Sequence, residues 1–233
     1  MKSTYVLEIT VASTESALAA ERGGANRIEL CGDLGAGGVT PSLELLRATK
    51  RHLKIPVFAM VRPRAGDFLY SAEEFAVMKE SIEDARQNGA DGVVLGLLKP
   101  DGRVDIERTH ELIEYASPLP VTFHRAFDES RDLQKSLEDV IQTGATRILT
   151  SGGAATAPAA TEILDSLVKK ASGRIIILPG SGINPSNIAR VAKETSAREF
   201  HSGLSTALPY GSDDYQKFEN EVRKLAQALA TLS

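Results

Sequence analysis

The sequence contains one cysteine and no tryptophan, and aromatic residues fill only 5% of its 233 positions. Cys31 therefore has no partner for an internal disulfide, as expected of a protein kept in a reducing compartment. So few aromatics leave no stacking platform for single-stranded nucleic acid. A formal net charge of -4 excludes the basic stripe that sequence-independent binding to nucleic acid requires. No apolar run approaches the roughly 18 residues of a membrane span. Met1-Lys2-Ser3-Thr4 leads directly into a strand-like segment instead of an apolar signal core, and the expectation is a cytoplasmic protein. No Pro/Ser/Gly linker or charge run divides the chain, so residues 1–233 are expected to form one domain.

What is present is a regular alternation. Short β-rich apolar segments occur at Tyr5–Val11, Arg27–Cys31, Val57–Arg62, Gly92–Leu98, Val121–His124, Arg147–Thr150, Arg174–Leu178 and Glu199–His201. Stretches of helical period lie between them. Phe75, Met78, Ile82 and Ala85 recur within Glu73–Asn88, and Leu133, Leu137, Val140 and Ile141 within Asp132–Thr143. Ile163, Leu164, Leu167 and Val168 do the same in Thr161–Lys170, as do Phe218, Val222, Leu225 and Leu229 in Asp213–Leu232, with Pro209-Tyr210-Gly211 as the preceding loop. The segments starting at Gly24-Ala25, Gly89-Ala90 and Gly144-Ala145 repeat a helix stop followed by a strand start. Eight such β/α units predict an α/β fold of the (β/α)8 TIM-barrel type. The rival, an open doubly wound sheet, lacks its G-x-G-x-x-G after the first strand.

In such a barrel alternate strand residues face inward, and the C-terminal mouth is the side where chemistry gathers. Alternation points Glu8 and Thr10, Glu29 and Cys31, Phe58, Met60 and Arg62, Thr122 and His124, and Glu199 and His201 to the interior. Asp33, Arg64, Asp67, Arg125 and Asp128 fall in the loops above. Glu8, Glu29, Arg62, His124, Asp128 and His201 are thus the candidate acid–base or ligand-binding residues. Glu8, Glu29 and Arg62 also read as a buried ion network with a purely structural role. Two glycine loops, Gly180-Ser181-Gly182 and Ser202-Gly203, are candidate anion or phosphate cradles, with a helix expected to start at Asn184-Pro185; tight β/α turns are the alternative. No lysine falls mid-strand, which argues against a Schiff-base aldolase. Cys31, Met60, His124 and His201 offer the soft donors that suit Cu(I), but no C-x-x-C or H-x-x-x-H spacing brings them together.

Several strings are familiar beyond their periodicity. Ala25-Asn26-Arg27-Ile28-Glu29-Leu30-Cys31, Gly35-Ala36-Gly37-Gly38-Val39-Thr40-Pro41-Ser42 and Met60-Val61-Arg62-Pro63-Arg64-Ala65-Gly66-Asp67-Phe68 resemble the CutC family. So do Gly92-Val93-Val94-Leu95-Gly96, Thr122-Phe123-His124-Arg125-Ala126-Phe127-Asp128, Leu149-Thr150-Ser151-Gly152-Gly153 and Gly180-Ser181-Gly182-Ile183-Asn184, in order along the chain. The resemblance implies a cytoplasmic copper homeostasis protein with a TIM barrel that associates into a homo-oligomer, a dimer or larger. It makes copper the expected cofactor, with Cys31 as the sole cysteine ligand, and no organic cofactor is expected. Beside it stands the reading from the residues: an isomerase, lyase or hydrolase acting on a small anionic or phosphorylated metabolite. Neither reading calls for nucleic acid or a membrane.

Overall fold

The turns that end helices and begin strands show how the repeat is built. In the computed structural model, which describes residues 5–205, 209 and 212–232, Gly24 and Gly144 cap their helices in the left-handed conformation, at φ 98° and 86°. Only glycine adopts that backbone without steric cost. Two residues later each repeat ties back to the preceding strand. The backbone N–H groups of Asn26, Asp91 and Thr146 donate to the carbonyls of Leu7, Val57 and Val121. The side chains of Asn26 and Asp91 return the bond, accepting from the N–H groups of Leu7 and Val57. The repeated motif is thus a clamp that sets the register of successive strands.

Eight strands follow: β1 (Val6–Val11), β2 (Arg27–Leu30), β3 (Val57–Met60), β4 (Gly92–Leu95), β5 (Val121–Phe123), β6 (Arg147–Thr150), β7 (Ile176–Pro179) and β8 (Glu199–Ser202). The helices between them are α1 (Thr14–Gly23), α2 (Leu43–His52), α3 (Ala72–Gln87), α4 (Ile106–Ala116), α5 (Leu133–Thr143), α6 (Thr161–Ala171), α7 (Ile188–Thr195) and α8 (Tyr215–Ala230). The strands pair in parallel in the order β7-β6-β5-β4-β3-β2-β1-β8, a nearly closed (β/α)8 barrel of the TIM type. Among the described residues β7 and β8, the two ends of that order, lie side by side without a registered ladder. No helix among the described residues is long and apolar enough to cross a membrane.

Three expectations are corrected. Strands three, four and seven end or begin differently: Val61 and Arg62, and Gly96 to Leu98, already belong to loops, and the seventh strand starts at Ile176. The helix expected at Asn184-Pro185 starts at Ile188 instead. Asn184 uses its side chain on the N–H of Ser186, forming a turn before the helix, so its capping chemistry is spent locally. Ile163 is 44% exposed and stands outside the apolar face of α6, where Leu164 and Leu167 are fully buried. Tyr210 and Gly211 of the expected last loop lie outside the described residues.

The core has two compartments. Outward-facing strand residues such as Ile9, Ile28, Val93, Phe123 and Ile148 join the helices in one large apolar layer. Inside the barrel a small second cluster holds Cys31, Phe58, Met60 and Val94. Room for large interior side chains comes from β4 and the residue that follows it. A Cβ on Gly92 would stand 2.6 Å from the Phe58 ring, and one on Gly96 would stand 2.6 Å from His124 Nδ1. Glycine at these inward positions lets the large side chains of β3 and β5 occupy the barrel axis. Gly92→Ala should therefore lower the urea midpoint by an amount equivalent to about 1–3 kcal/mol of overpacking. Adding Phe58→Leu should restore part of the loss; simple additivity of the two costs would refute the steric pairing.

Candidate functional site

The interior ion network begins at the base of the barrel. The register sets Glu8 opposite Arg27 on one neighbouring strand and opposite His201 on the other. Glu8 is fully buried and forms an ion pair with Arg27 and a 2.8 Å hydrogen bond from His201 Nδ1. Arg27 continues to Glu199 at 2.7 Å, and Arg147 approaches the same carboxylate at 3.3 Å. Both guanidinium groups stack over Phe58, 5.0 and 5.1 Å from its centroid. Burial alone would raise the Glu8 pKa, but Arg27 and His201 outweigh it and hold the carboxyl at about 2.

Toward the mouth the network continues through a hydroxyl. Thr10 Oγ1 donates to Glu29 Oε2 at 2.8 Å and lies 2.7 Å from His201 Nε2. A hydroxyl has a single proton, and Thr10 commits it to Glu29, so Nε2 of His201 donates to Thr10. With Nδ1 also donating to Glu8, His201 is an imidazolium. Burial opposes that charge, yet Glu29 and Glu8 prevail and its pKa is raised. Glu29 moves upward too: burial and the nearby Glu8 charge outweigh the help of His201, Thr10 and Cys31. The Cys31 thiol, 3.7 Å from Glu29 Oε2, is pushed well up by burial and then by that carboxylate.

These groups form one wall of a cavity of about 780 Å³ at the C-terminal mouth, within the range of small-molecule sites. Glu29, Cys31, Arg62, His124, Asp128, His201 and Gly203 of the candidate set line it, while Glu8 lies beneath. Gly180, Ser181, Gly182 and Ser202 stand outside its wall. Gly180 is pressed against Leu149 and His201, where a Cβ would come within 2.4 Å of Leu149 Cδ1. The hydroxyls of Ser181 and Ser202 are turned to the carbonyls of Ala155 and Ile183. Arg64 and Asp67 pair with each other, and Arg64 also with Glu74.

The rest of the candidate lining comes from the ends of β3 and β5. Arg62 donates to the carbonyls of Gly37, Gly38 and Gly66, stapling two mouth loops together, and stacks over Phe68. His124 packs on the same ring at 4.8 Å. Its Nδ1 accepts from the N–H of Ala126, so Nε2 carries the proton. Burial and the Arg62 charge pull its pKa down to about 3 and keep the ring neutral. Asp128 orients Arg125 at 2.8 Å and accepts from the backbone of Ser151 and Gly153; it does not touch His124. Three side-chain atoms of residues lining this cavity are buried without a protein partner, among them Glu29 Oε1 and His124 Nε2. Arg62 Nε is the third.

Glu8, Glu29 and His201 also form a possible metal-binding triad, with ligand atoms all within 4.8 Å of one another. The donor chemistry does not match Cu(I). Both imidazole nitrogens hold protons, Arg27 competes for Glu8, and the lone thiol resists the deprotonation that a soft cuprous site needs.

Sequence alternation found most of these residues and overlooked Arg27 and Arg147. The same period-two rule that turns Glu29 inward also turns Arg27 inward, two residues earlier. Phe68 carried no signal, because it reaches the site from a loop.

The protonation states predict a separable acid response. A histidine with a folded pKa near 3 and an unfolded value near 6.5 contributes stability above pH 6.5 that is lost as the pH falls toward 3. The Glu8 contribution is present above about pH 4.5 and is lost as the pH falls toward 2. His201 acts in the opposite sense, losing its contribution as the pH rises through its raised pKa, and so adds no slope below about 6.5. His124→Gln should therefore flatten the fall in unfolding free energy from pH 6.5 down to about 3, on the order of a few kcal/mol, and leave the Glu8 loss between about pH 4.5 and 2 in place. Identical wild-type and variant profiles in equilibrium urea unfolding would show that His124 is not the group responsible.

The CutC family model matches residues 5–206 of the chain. A CutC family protein from Chromobacterium violaceum is 45% identical over 241 residues, covering 96% of this chain and 98% of the relative. The human copper homeostasis protein cutC homolog is 44% identical over 226 residues, covering 97% of this chain and 81% of that protein. Among solved structures, CutC from Streptococcus agalactiae superposes with a TM-score of 0.81 at 30% identity, covering 85% of this chain and 98% of that one. Phosphoribosylanthranilate isomerase from Pyrococcus furiosus, at 16% identity and a TM-score of 0.63, shares the barrel fold. Matched along nearly its whole length in sequence, and carrying the barrel its residues foretold, the chain belongs to the CutC family.

Proposed function

We propose that this chain binds a small, oxygen-bearing anionic metabolite at the barrel mouth and transforms it by acid–base chemistry at Glu29 and His124. One observation carries the reading: a buried acceptor, Glu29 Oε1, and a buried donor, His124 Nε2–H, belong to residues lining the same cavity and neither has a protein partner. Leaving such an atom unsatisfied costs about 1–3 kcal/mol, and native proteins rarely accept two such costs in one place without a use. The two groups differ in the way an acid–base pair needs. Glu29 is a carboxyl made more basic by burial, while His124 is a neutral donor. Arg125, held by Asp128 and Ser151 at the rim, provides a positive group for an anionic ligand.

Binding and turnover test it. A panel of small organic acids and sugar phosphates should contain a ligand that raises the melting temperature of the wild type, since any ligand of the native state stabilises it. Glu29→Gln should abolish conversion of that ligand, by at least about 100-fold, while the variant still melts cooperatively. A panel without any stabilising compound would count decisively against the cavity as a metabolite site.

Direct copper binding is the second reading, favoured by the Glu8, Glu29 and His201 cluster with Cys31 beside it. Anaerobic Cu(I) titration against a competing chelator separates the two. The ion-paired network leads us to expect weak binding that Cys31→Ser leaves unchanged. Tight stoichiometric binding lost in Cys31→Ser would establish the copper reading instead.

A further inference from the structure

We propose that the substrate is an anionic α-hydroxy aldehyde or ketone, and that the reaction is proton transfer between its adjacent carbons through an enediol. This rests on the metabolite reading of the same cavity and gives it a reaction and a substrate class. Glu29 Oε1 would take the proton from the hydroxyl-bearing carbon, and His124 Nε2–H would hold the oxygen of the neighbouring carbonyl.

The unpartnered atoms are what this chemistry requires, and the rest of the wall excludes its competitors. Glu29 is tethered through Oε2 alone, by Thr10 and Cys31, so Oε1 is left aligned and unspent. His201, 3.8 Å from that tethered oxygen, keeps a positive charge beside the carboxylate without occupying Oε1. His124 is locked as a donor by the Ala126 N–H. A neutral imidazole N–H is matched to an enediolate oxygen better than an imidazolium would be, because it stabilises the charge without surrendering its proton outright. No lysine lines the cavity among the described residues, which removes the Schiff-base route to carbon chemistry. The lone thiol is engaged with Glu29 and is not an activated nucleophile.

The step balances without a co-reactant. Glu29 removes the proton on the hydroxyl-bearing carbon, and the C–H electron pair becomes the C=C bond. The carbonyl π pair moves to its oxygen, beside His124. Glu29 then delivers its proton to the former carbonyl carbon. The hydroxyl oxygen becomes the new carbonyl and its proton passes to the other oxygen. Nothing is oxidised or reduced overall.

Deuterium exchange tests this directly. The wild type is incubated in D2O with glyceraldehyde 3-phosphate, dihydroxyacetone phosphate, ribose 5-phosphate and, as a control resistant to enolisation, 3-phosphoglycerate. Loss of the C–H signal is followed by proton NMR. Exchange above the buffer rate in at least one carbonyl compound is expected, falling at least about 100-fold in Glu29→Gln and about 10- to 100-fold in His124→Gln. A phosphorylated hydroxamate, which imitates the enediolate, should raise the wild-type melting temperature more than the carbonyl compounds do. No exchange in any carbonyl compound, or exchange undiminished in Glu29→Gln, overturns the proposal. If 3-phosphoglycerate stabilises the protein while no carbonyl compound exchanges, the metabolite site stands and the enediol chemistry falls. If nothing binds or exchanges, both fall.

Discussion

Glu8 sits at the centre of the barrel with no access to water, its carboxylate shared between Arg27 and His201. A buried charge is tolerable only if it is paired and hydrogen-bonded, and the surrounding structure is arranged around that requirement. The parallel register places both partners directly opposite it. Removing one member of such a buried pair typically costs about 3–5 kcal/mol, because the survivor remains charged and buried. The base of the barrel is therefore rigid by electrostatics as much as by packing.

That rigidity is transmitted upward to the mouth. His201, fixed below by Glu8, fixes Thr10, and Thr10 fixes one oxygen of Glu29. Each bond uses up an alternative orientation, so the remaining oxygen of Glu29 is presented without entropy to lose. At His124 the same work is done by shape. Gly96 leaves space for the His124 ring, Phe68 stacks on it, and the Ala126 N–H selects its tautomer. Two histidines in one barrel are thereby driven to opposite states, one charged among carboxylates and one neutral beside an arginine.

The comparison with relatives and the chemistry of the site pull in different directions. The names of the relatives speak of copper homeostasis. The cavity wall offers a tethered carboxyl, a neutral imidazole and guanidinium groups, which suit oxygen-bearing organic ligands better than a soft cation. Arg27 in particular weighs against a cation at the triad, since it already neutralises Glu8 from within hydrogen-bonding reach.

The barrel was legible in the sequence because its signals are local. Strand and helix periods, left-handed glycine stops and the repeated Gly-Ala turn all act within a few residues of chain. Period-two alternation even sorted Glu8, Glu29, His124 and His201 to the interior, since inside and outside are decided residue by residue along a strand. What alternation cannot carry is who meets whom across the barrel. That Glu8 is spent on Arg27 and His201, that Arg62 braces loops, and that Asp128 is held by Ser151 and Gly153 depend on contacts between segments distant in sequence. Protonation follows the same division. Residue type sets the range of each pKa, but burial and the neighbouring charge choose the state, and both exist only once the chain has closed on itself.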